Sequence, residues 1–105
     1  MVSDLAFSIL LALGSGPAHG YAIGKEVEAR SGGRLDPTTG ALYQALRRLA
    51  EDGLIKPVPS PQGADARRRY FGLTPSGRAA AANEAQRLDA LVRAAREKNL
   101  YPKGA

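Results

Sequence analysis

The sequence predicts a mainly α protein with a small β-hairpin, an α+β class, on three observations. Residues 40–55, GALYQALRRLAEDGLI, place Leu42, Ala45, Leu46, Leu49 and Ala50 at i, i+3, i+4, i+7 and i+8, one stripe of an amphipathic helix. Two short runs, 54–58 and 67–73, flank a loop rich in Pro, Gly and Ser, the pattern of a hairpin. From Thr74-Pro75 a third pattern, small residues followed by a leucine stripe, reads as one long helix to about Asn99.

Composition narrows the class of function. A chain of 105 residues makes one domain with a modest core. Its net charge is +5, which favours polyanionic partners. Between residues 34 and 78 eight basic residues stand against four acidic ones, so this stretch supplies +4 of the +5. There is no cysteine, hence no disulfide scaffold and no thiolate metal site, and a single His makes no His-rich cluster. No metal and no cofactor are expected. The apolar run 5–13 is too short to span a bilayer and lacks the basic leader and cleavage site of a signal peptide. The expected setting is cytoplasmic, with no membrane partner.

Taken in order, Ser3 can cap a first helix with Asp4 in its first turn. The run DLAFSILLAL is apolar nearly all round, so one side is expected to face the home core and another a partner subunit, through Leu5, Ile9 and Leu13. Gly14-Ser15-Gly16-Pro17 ends it. His19-Gly20 opens a second helix, 21–30. Its GYAIGK is not a phosphate loop, because only three residues separate the glycines and Glu26, not a hydroxyl residue, follows Lys25. A lone His beside Gly at a helix start reads as structural rather than catalytic. After Ser31-Gly32-Gly33, either Asp36 with Pro37 at the first helical position, or Thr38 alone, can cap the third helix. Both choices leave Thr38, Thr39 and open backbone N–H groups at a helix N-terminus, suited to phosphate.

Gly53 stops the third helix, and residues 54–58 form a short strand in which Pro57 fits only at a sheet edge. The return strand, 67–73, places Phe71 and Leu73 on one face and Arg68 and Tyr70 on the other. Three arginines in a row could be solvated charge. In a two-stranded ribbon beside an aromatic they read better as a wing gripping a nucleic-acid backbone. The last helix carries the stripe Ala85, Leu88, Leu91, Val92 and Ala95, too short for a long coiled coil. Its own domain offers it little to pack against, so it reads as a dimerisation helix rather than an intramolecular strut. The expected division is residues 1–74 as a DNA-binding unit, 75–99 as the dimerisation helix and 100–105 as a flexible tail.

Three helices, a hairpin and a long helix make a winged helix-turn-helix with one added helix. Three pieces carry a more specific resemblance: His19-Gly20-Tyr21; Leu42-Tyr43-Gln44-Ala45-Leu46-Arg47-Arg48-Leu49 with Glu51-Asp52-Gly53-Leu54-Ile55; and Arg69-Tyr70-Phe71-Gly72-Leu73-Thr74-Pro75-Ser76-Gly77. Together they resemble the PadR family of bacterial transcriptional regulators, in its short form with a single C-terminal helix, over about residues 5–91. The resemblance implies a homodimer on palindromic operator DNA, usually a repressor released by a small, often aromatic, effector. It implies Tyr43 and its neighbours as the groove-reading helix and residues 67–70 as wing. The chain departs from the pattern in two places. Gln44 stands where the family often has Pro, adding an amide able to read a base edge, adenine best. No Trp is present, which removes the tryptophan sandwich some short members use for drugs.

The function expected is therefore sequence-specific, DNA-binding transcription regulation by a homodimeric repressor. Thr38, Thr39 and the helix N-terminus would hold phosphate, Tyr43, Gln44 and Arg47 would face the major groove, and Arg48 would meet phosphate at its edge. Arg67, Arg68 and Arg69, with Tyr70, would take phosphates or an adjacent minor groove. A rival from another class is a winged-helix protein-interaction or ligand-sensing module whose basic face meets an acidic partner. An enzyme is not expected, since cysteine, metal clusters and paired carboxylates in an apolar setting are all missing.

Overall fold

The structure is a computed structural model and describes residues 2–35, 39–61, 63 and 67–102. The expected caps Asp36 and Thr38, and the Thr39 side chain, lie outside the described residues. The elements are α1 (Asp4–Ala12), β1 (Ala18–His19), α2 (Gly20–Arg30), α3 (Thr39–Glu51), β2 (Ile55–Val58), β3 (Tyr70–Leu73) and α4 (Pro75–Glu97). Four helices and a small antiparallel sheet make the α+β winged helix-turn-helix expected.

Helix ends follow local chemistry. The Ser3 hydroxyl accepts the Ala6 N–H at 3.1 Å to cap α1, and the Thr74 hydroxyl accepts the Gly77 N–H at 3.0 Å to cap α4. α2, α3 and α4 all stop on a left-handed residue: Gly32 (φ 65°), Gly53 (φ 75°) and Asn99 (φ 59°). At α3 the Leu54 N–H returns to the Leu49 carbonyl at 2.9 Å and the Gly53 N–H to Ala50 at 3.1 Å, the paired bonds of a Schellman stop. That stop turns the chain at once into β2.

The sheet is larger than the hairpin expected. Its order is β1-β3-β2, with Ala18 opposite Phe71, His19 opposite Tyr70, and Ile55 to Val58 opposite Leu73 to Tyr70. Two residues of β1 are too few for a periodic signal, and they cover the β3 edge left open by the hairpin. Pro57 lies on β2, an edge strand, as its missing donor requires. β3 begins at Tyr70, not Arg67. Past Val58, the last paired residue of β2, come Pro59 and Pro61, which have no N–H to continue a ladder. The Ser60 hydroxyl instead reaches the Arg68 carbonyl at 3.3 Å.

One core joins every layer: Ile9 and Leu10 of α1 with its C-cap Leu13, Ile23 and Val27 of α2, Leu42, Leu46 and Leu49 of α3, Ile55 of β2 and Phe71 of β3. This revises the reading of α1. Ile9 is 0% exposed and Leu13 1%, so neither retains surface for a partner. Burying side chains of this size contributes about 1.5–3 kcal/mol each, and that gain is already taken within the chain. The apolar surface α1 leaves open is Leu11, 48% exposed, and the half-buried Phe7, with Leu5 half-buried at the core's edge.

α4 is held to the domain at its first turns only. A side chain at Gly77 would run into the Leu54 carbonyl, so glycine is required there. Ala80 and Ala81 pack on the core, and beyond them Glu84 is 6% exposed. Its carboxylate is satisfied by Arg87, Nε at 3.0 Å and Nη2 at 2.6 Å. The stripe then opens to solvent: Leu88 is half-buried, Leu91 56% exposed and Val92 36%. Ala85 is exposed and Ala95 half-buried. Among the described residues no helix is long and apolar enough to cross a membrane.

The Arg87 hydrogen bonds hold the Glu84 carboxyl below its usual range, outweighing desolvation, and the Arg87 guanidinium is raised in return. A carboxyl depressed in the folded state adds stability above its unfolded pKa and loses it as pH falls through the folded value. Glu84→Gln is therefore expected to remove part of the acid-side fall in stability. Urea melts across the acid range would check this. Parallel curves for variant and wild type would show that the pair does not govern that limb.

Candidate nucleic-acid interface

Burying Leu42, Leu46 and Leu49 turns the other side of α3 outward. Tyr43, Gln44, Arg47 and Arg48 are all exposed, Tyr43 by 45%. They do not all point the same way. Tyr43 leans on the start of α2, so closely that a Cβ at Gly20 would sit 2.6 Å from its hydroxyl oxygen. A glycine is what admits the ring there.

Two hollows join α3 to the base of the wing. One, of about 380 Å³, lies between His19, Gly20 and Tyr21, the Tyr43 ring, and Arg67, Arg68 and Arg69. The other, of about 200 Å³, brings Tyr43 and Arg47 to Arg69, over Pro57 and Phe71. Among the described residues, no acidic one lines either. Of the residues expected to bind DNA, Tyr43, Arg47, Arg67, Arg68 and Arg69 are thus brought together. Gln44 is exposed on the same helix and lines neither hollow. Arg48 turns away, 3.8 Å from Asp52, along a groove with Val2, Ser3 and Ala6. Thr38 and the Thr39 side chain lie outside the described residues.

The wing base is ordered by rings. Arg69 lies 6.0 Å from the Phe71 centroid. Tyr70 meets His19 edge to face, centroids 5.3 Å apart and planes at 87°. Arg68 lies over Tyr21 at 5.7 Å, with Nη1 within 3.2 Å of the His19 ring nitrogens. His19 is structural, as expected, for its Nδ1 accepts the Ala22 N–H at 3.1 Å and caps α2. It is also part of this surface, which sequence reasoning missed together with Gly20 and Tyr21. The one available signal was the tripeptide His19-Gly20-Tyr21 itself, an aromatic pair around a glycine. Among the described residues no group of His, Asp and Glu could hold a metal ion.

The model of the transcriptional regulator PadR-like family matches residues 9–83. The chain belongs to the PadR-like family. The family is one of transcriptional regulators, not enzymes. Transcriptional regulator Rv3488 of Mycobacterium tuberculosis is 40% identical over 76 residues, 71% of this chain and 66% of that protein. An uncharacterised 37.1 kDa protein of a Streptomyces fradiae transposon is 45% identical over 76 residues, 72% of this chain. The chain spans 20% of that relative's length. Among solved structures, a PadR family regulator from Clostridium difficile superposes with a TM-score of 0.74 at 24% identity, covering 90% of this chain and 97% of that one. Bacillus subtilis PadR in complex with operator DNA superposes at 0.67 and 24% identity, over 79% and 47%. At such identity the two share the PadR fold with this chain.

The fit of Tyr43 against Gly20 yields a test. Gly20→Ala forces the ring or α2 to shift, and overpacking of this kind costs about 1–3 kcal/mol. A lowered thermal midpoint and displaced Tyr43 ring resonances are expected. Unchanged ring resonances would mean that the contact is loose.

Proposed function

We propose that the chain is a sequence-specific DNA-binding regulator, a repressor that binds palindromic operator DNA as a homodimer in the cytoplasm. The observation that carries this reading is the meeting of α3 and the wing base: Tyr43 and Arg47 share two hollows with Arg67, Arg68 and Arg69. A convex helix flanked by guanidinium groups suits a major groove bordered by phosphates. Gln44 and Arg47 read base edges and Tyr43 buttresses the helix. The wing arginines, with Thr38, Thr39 and Arg48, take phosphates. The operator-bound Bacillus subtilis PadR supports the class of ligand, since the fold is shared. A small effector would release the DNA, bound without tryptophan. Gel shifts on the promoter of the chain's own operon, with competitor DNA, test the whole reading.

Two units are proposed to join through α4, whose Ala85, Leu88, Leu91, Val92 and Ala95 continue past the domain, with Leu5 at the α1 edge. Exposure of Leu91 and Val92 supports this. A single winged module buries about 600–1,000 Å² on DNA, while two held rigidly gain roughly 10²–10⁴-fold in avidity. A two-fold axis then requires half-sites about one helical turn apart, or a multiple of it.

Each phosphate contact contributes a slope of about −0.9 in log affinity against log salt, so six or more should cost about 10³-fold between ~50 and ~200 mM. Gln44→Ala should lose roughly 1–3 kcal/mol on the operator and relax one base position per half-site, while Arg68→Ala weakens all sequences alike. A flat salt titration removes the DNA reading, and equal loss on random and operator DNA removes Gln44 as a reader.

The double variant Leu88→Arg with Val92→Glu places unpaired charge in the proposed interface. Light scattering should then show a monomer, or the chain should unfold if a monomer cannot stand alone. A wild-type monomer at micromolar concentration would sink the dimer, and a variant that stays dimeric and binds the full operator as tightly as before would sink this interface.

A further inference from the structure

We propose that His19 is a positioning residue for DNA binding, a ring platform that holds the wing arginine Arg68 in place before DNA arrives. This rests on the DNA-binding reading above. Capping α2 uses one ring nitrogen of His19 and leaves a face of the ring over.

The cap fixes the chemistry of the imidazole. Nδ1 accepts the Ala22 N–H at 3.1 Å, so that nitrogen carries no proton, and in the neutral ring the proton sits on Nε2. The Arg68 Nη1 lies 3.2 Å from Nδ1 and 3.1 Å from Nε2. Nearly equal distances to two nitrogens, one already engaged and one protonated, describe contact with the ring as a whole. The Tyr21 ring takes the same guanidinium at 5.7 Å, so Arg68 is laid across two aromatic faces. The His19 ring is itself fixed on three counts. Its cap bond fixes the rotamer, β1–β3 pairing sets His19 opposite Tyr70, and the Tyr70 ring abuts it edge to face at 5.3 Å.

The gain is entropic. A solvent-exposed arginine gripping a phosphate must give up its rotamer freedom on binding, whereas one already laid on rings has given up much of it beforehand. Arg68 also lines the hollow shared with Tyr43, Arg67 and Arg69, where a backbone phosphate fits by charge.

Two variants separate platform from cap. His19→Asn retains a side-chain acceptor for the helix start and removes the ring. His19→Phe retains a flat ring and removes the acceptor. Operator affinity is measured by fluorescence anisotropy at a temperature where every variant is folded, with thermal midpoints alongside. The expected result is a crossed one. H19N keeps the cap but loses the Tyr70 ring contact, so it melts slightly lower than wild type and loses about threefold to tenfold in affinity, whereas H19F loses the cap, melts lower and binds like wild type. In an R68A background H19N should cost nothing further. The proposal is overturned if H19N binds as tightly as wild type, if H19N and H19F lose affinity equally, or if the H19N loss persists undiminished in R68A. A wild-type chain that binds no duplex at all overturns the DNA reading, and the platform with it.

Discussion

Burial of Leu42, Leu46 and Leu49 sets the rotation of α3, and most of the molecule's surface chemistry depends on that rotation. A helix has a single orientation about its axis. With three leucines sealed against α1 and α2, Tyr43, Gln44 and Arg47 must face out. The core therefore works as an aiming device. Its apolar side chains touch no ligand, yet a rotation of α3 by the 100° between neighbouring residues would carry Arg47 off its shared hollow and bring Arg48, now turned toward Asp52, in its place.

The wing is aimed by a different device, a knot of backbone contacts at the end of α3. The Schellman stop at Gly53 passes the chain into β2 within two residues. The Thr74 hydroxyl donates to the Gly53 carbonyl at 2.6 Å and accepts the Gly77 N–H, and the Thr74 N–H donates to the Leu54 carbonyl at 3.2 Å. The end of α3, the root of β3 and the start of α4 thus meet around one threonine, with Gly77 admitted only because it lacks a side chain. Helix, wing and α4 are joined there by short-range bonds.

α4 presents the opposite condition. Past Glu84 and its Arg87 partner it leaves its own domain, in a molecule 51 Å long and only 27 by 24 Å across. Leu91 and Val92 then stand in solvent one turn beyond the half-buried Leu88, and apolar side chains exposed in this way are a standing drive toward association. The buried carboxylate sits where packing ends.

The sequence by itself determined what depends on near neighbours along the chain. The α3 stripe, the glycine stops, the Thr74 cap with Pro75, the edge position of Pro57 and the clustering of positive charge all follow from local rules of period, capping and dihedral preference. The motifs around His19, Tyr43 and Tyr70 carried the family as well. Only the tertiary structure decided what depends on distant residues meeting. β1 is two residues long, and its existence is a property of the β3 edge opposite it. Ile9 and Leu13 could have faced a partner on pattern alone, because a helix apolar all round has no preferred side until a core forms against it. Arg47 and Arg48 are neighbours of identical chemistry, separated in role by the 100° that one residue turns a helix. His19 and Arg68 are 49 positions apart, and no local rule could have laid one on the other.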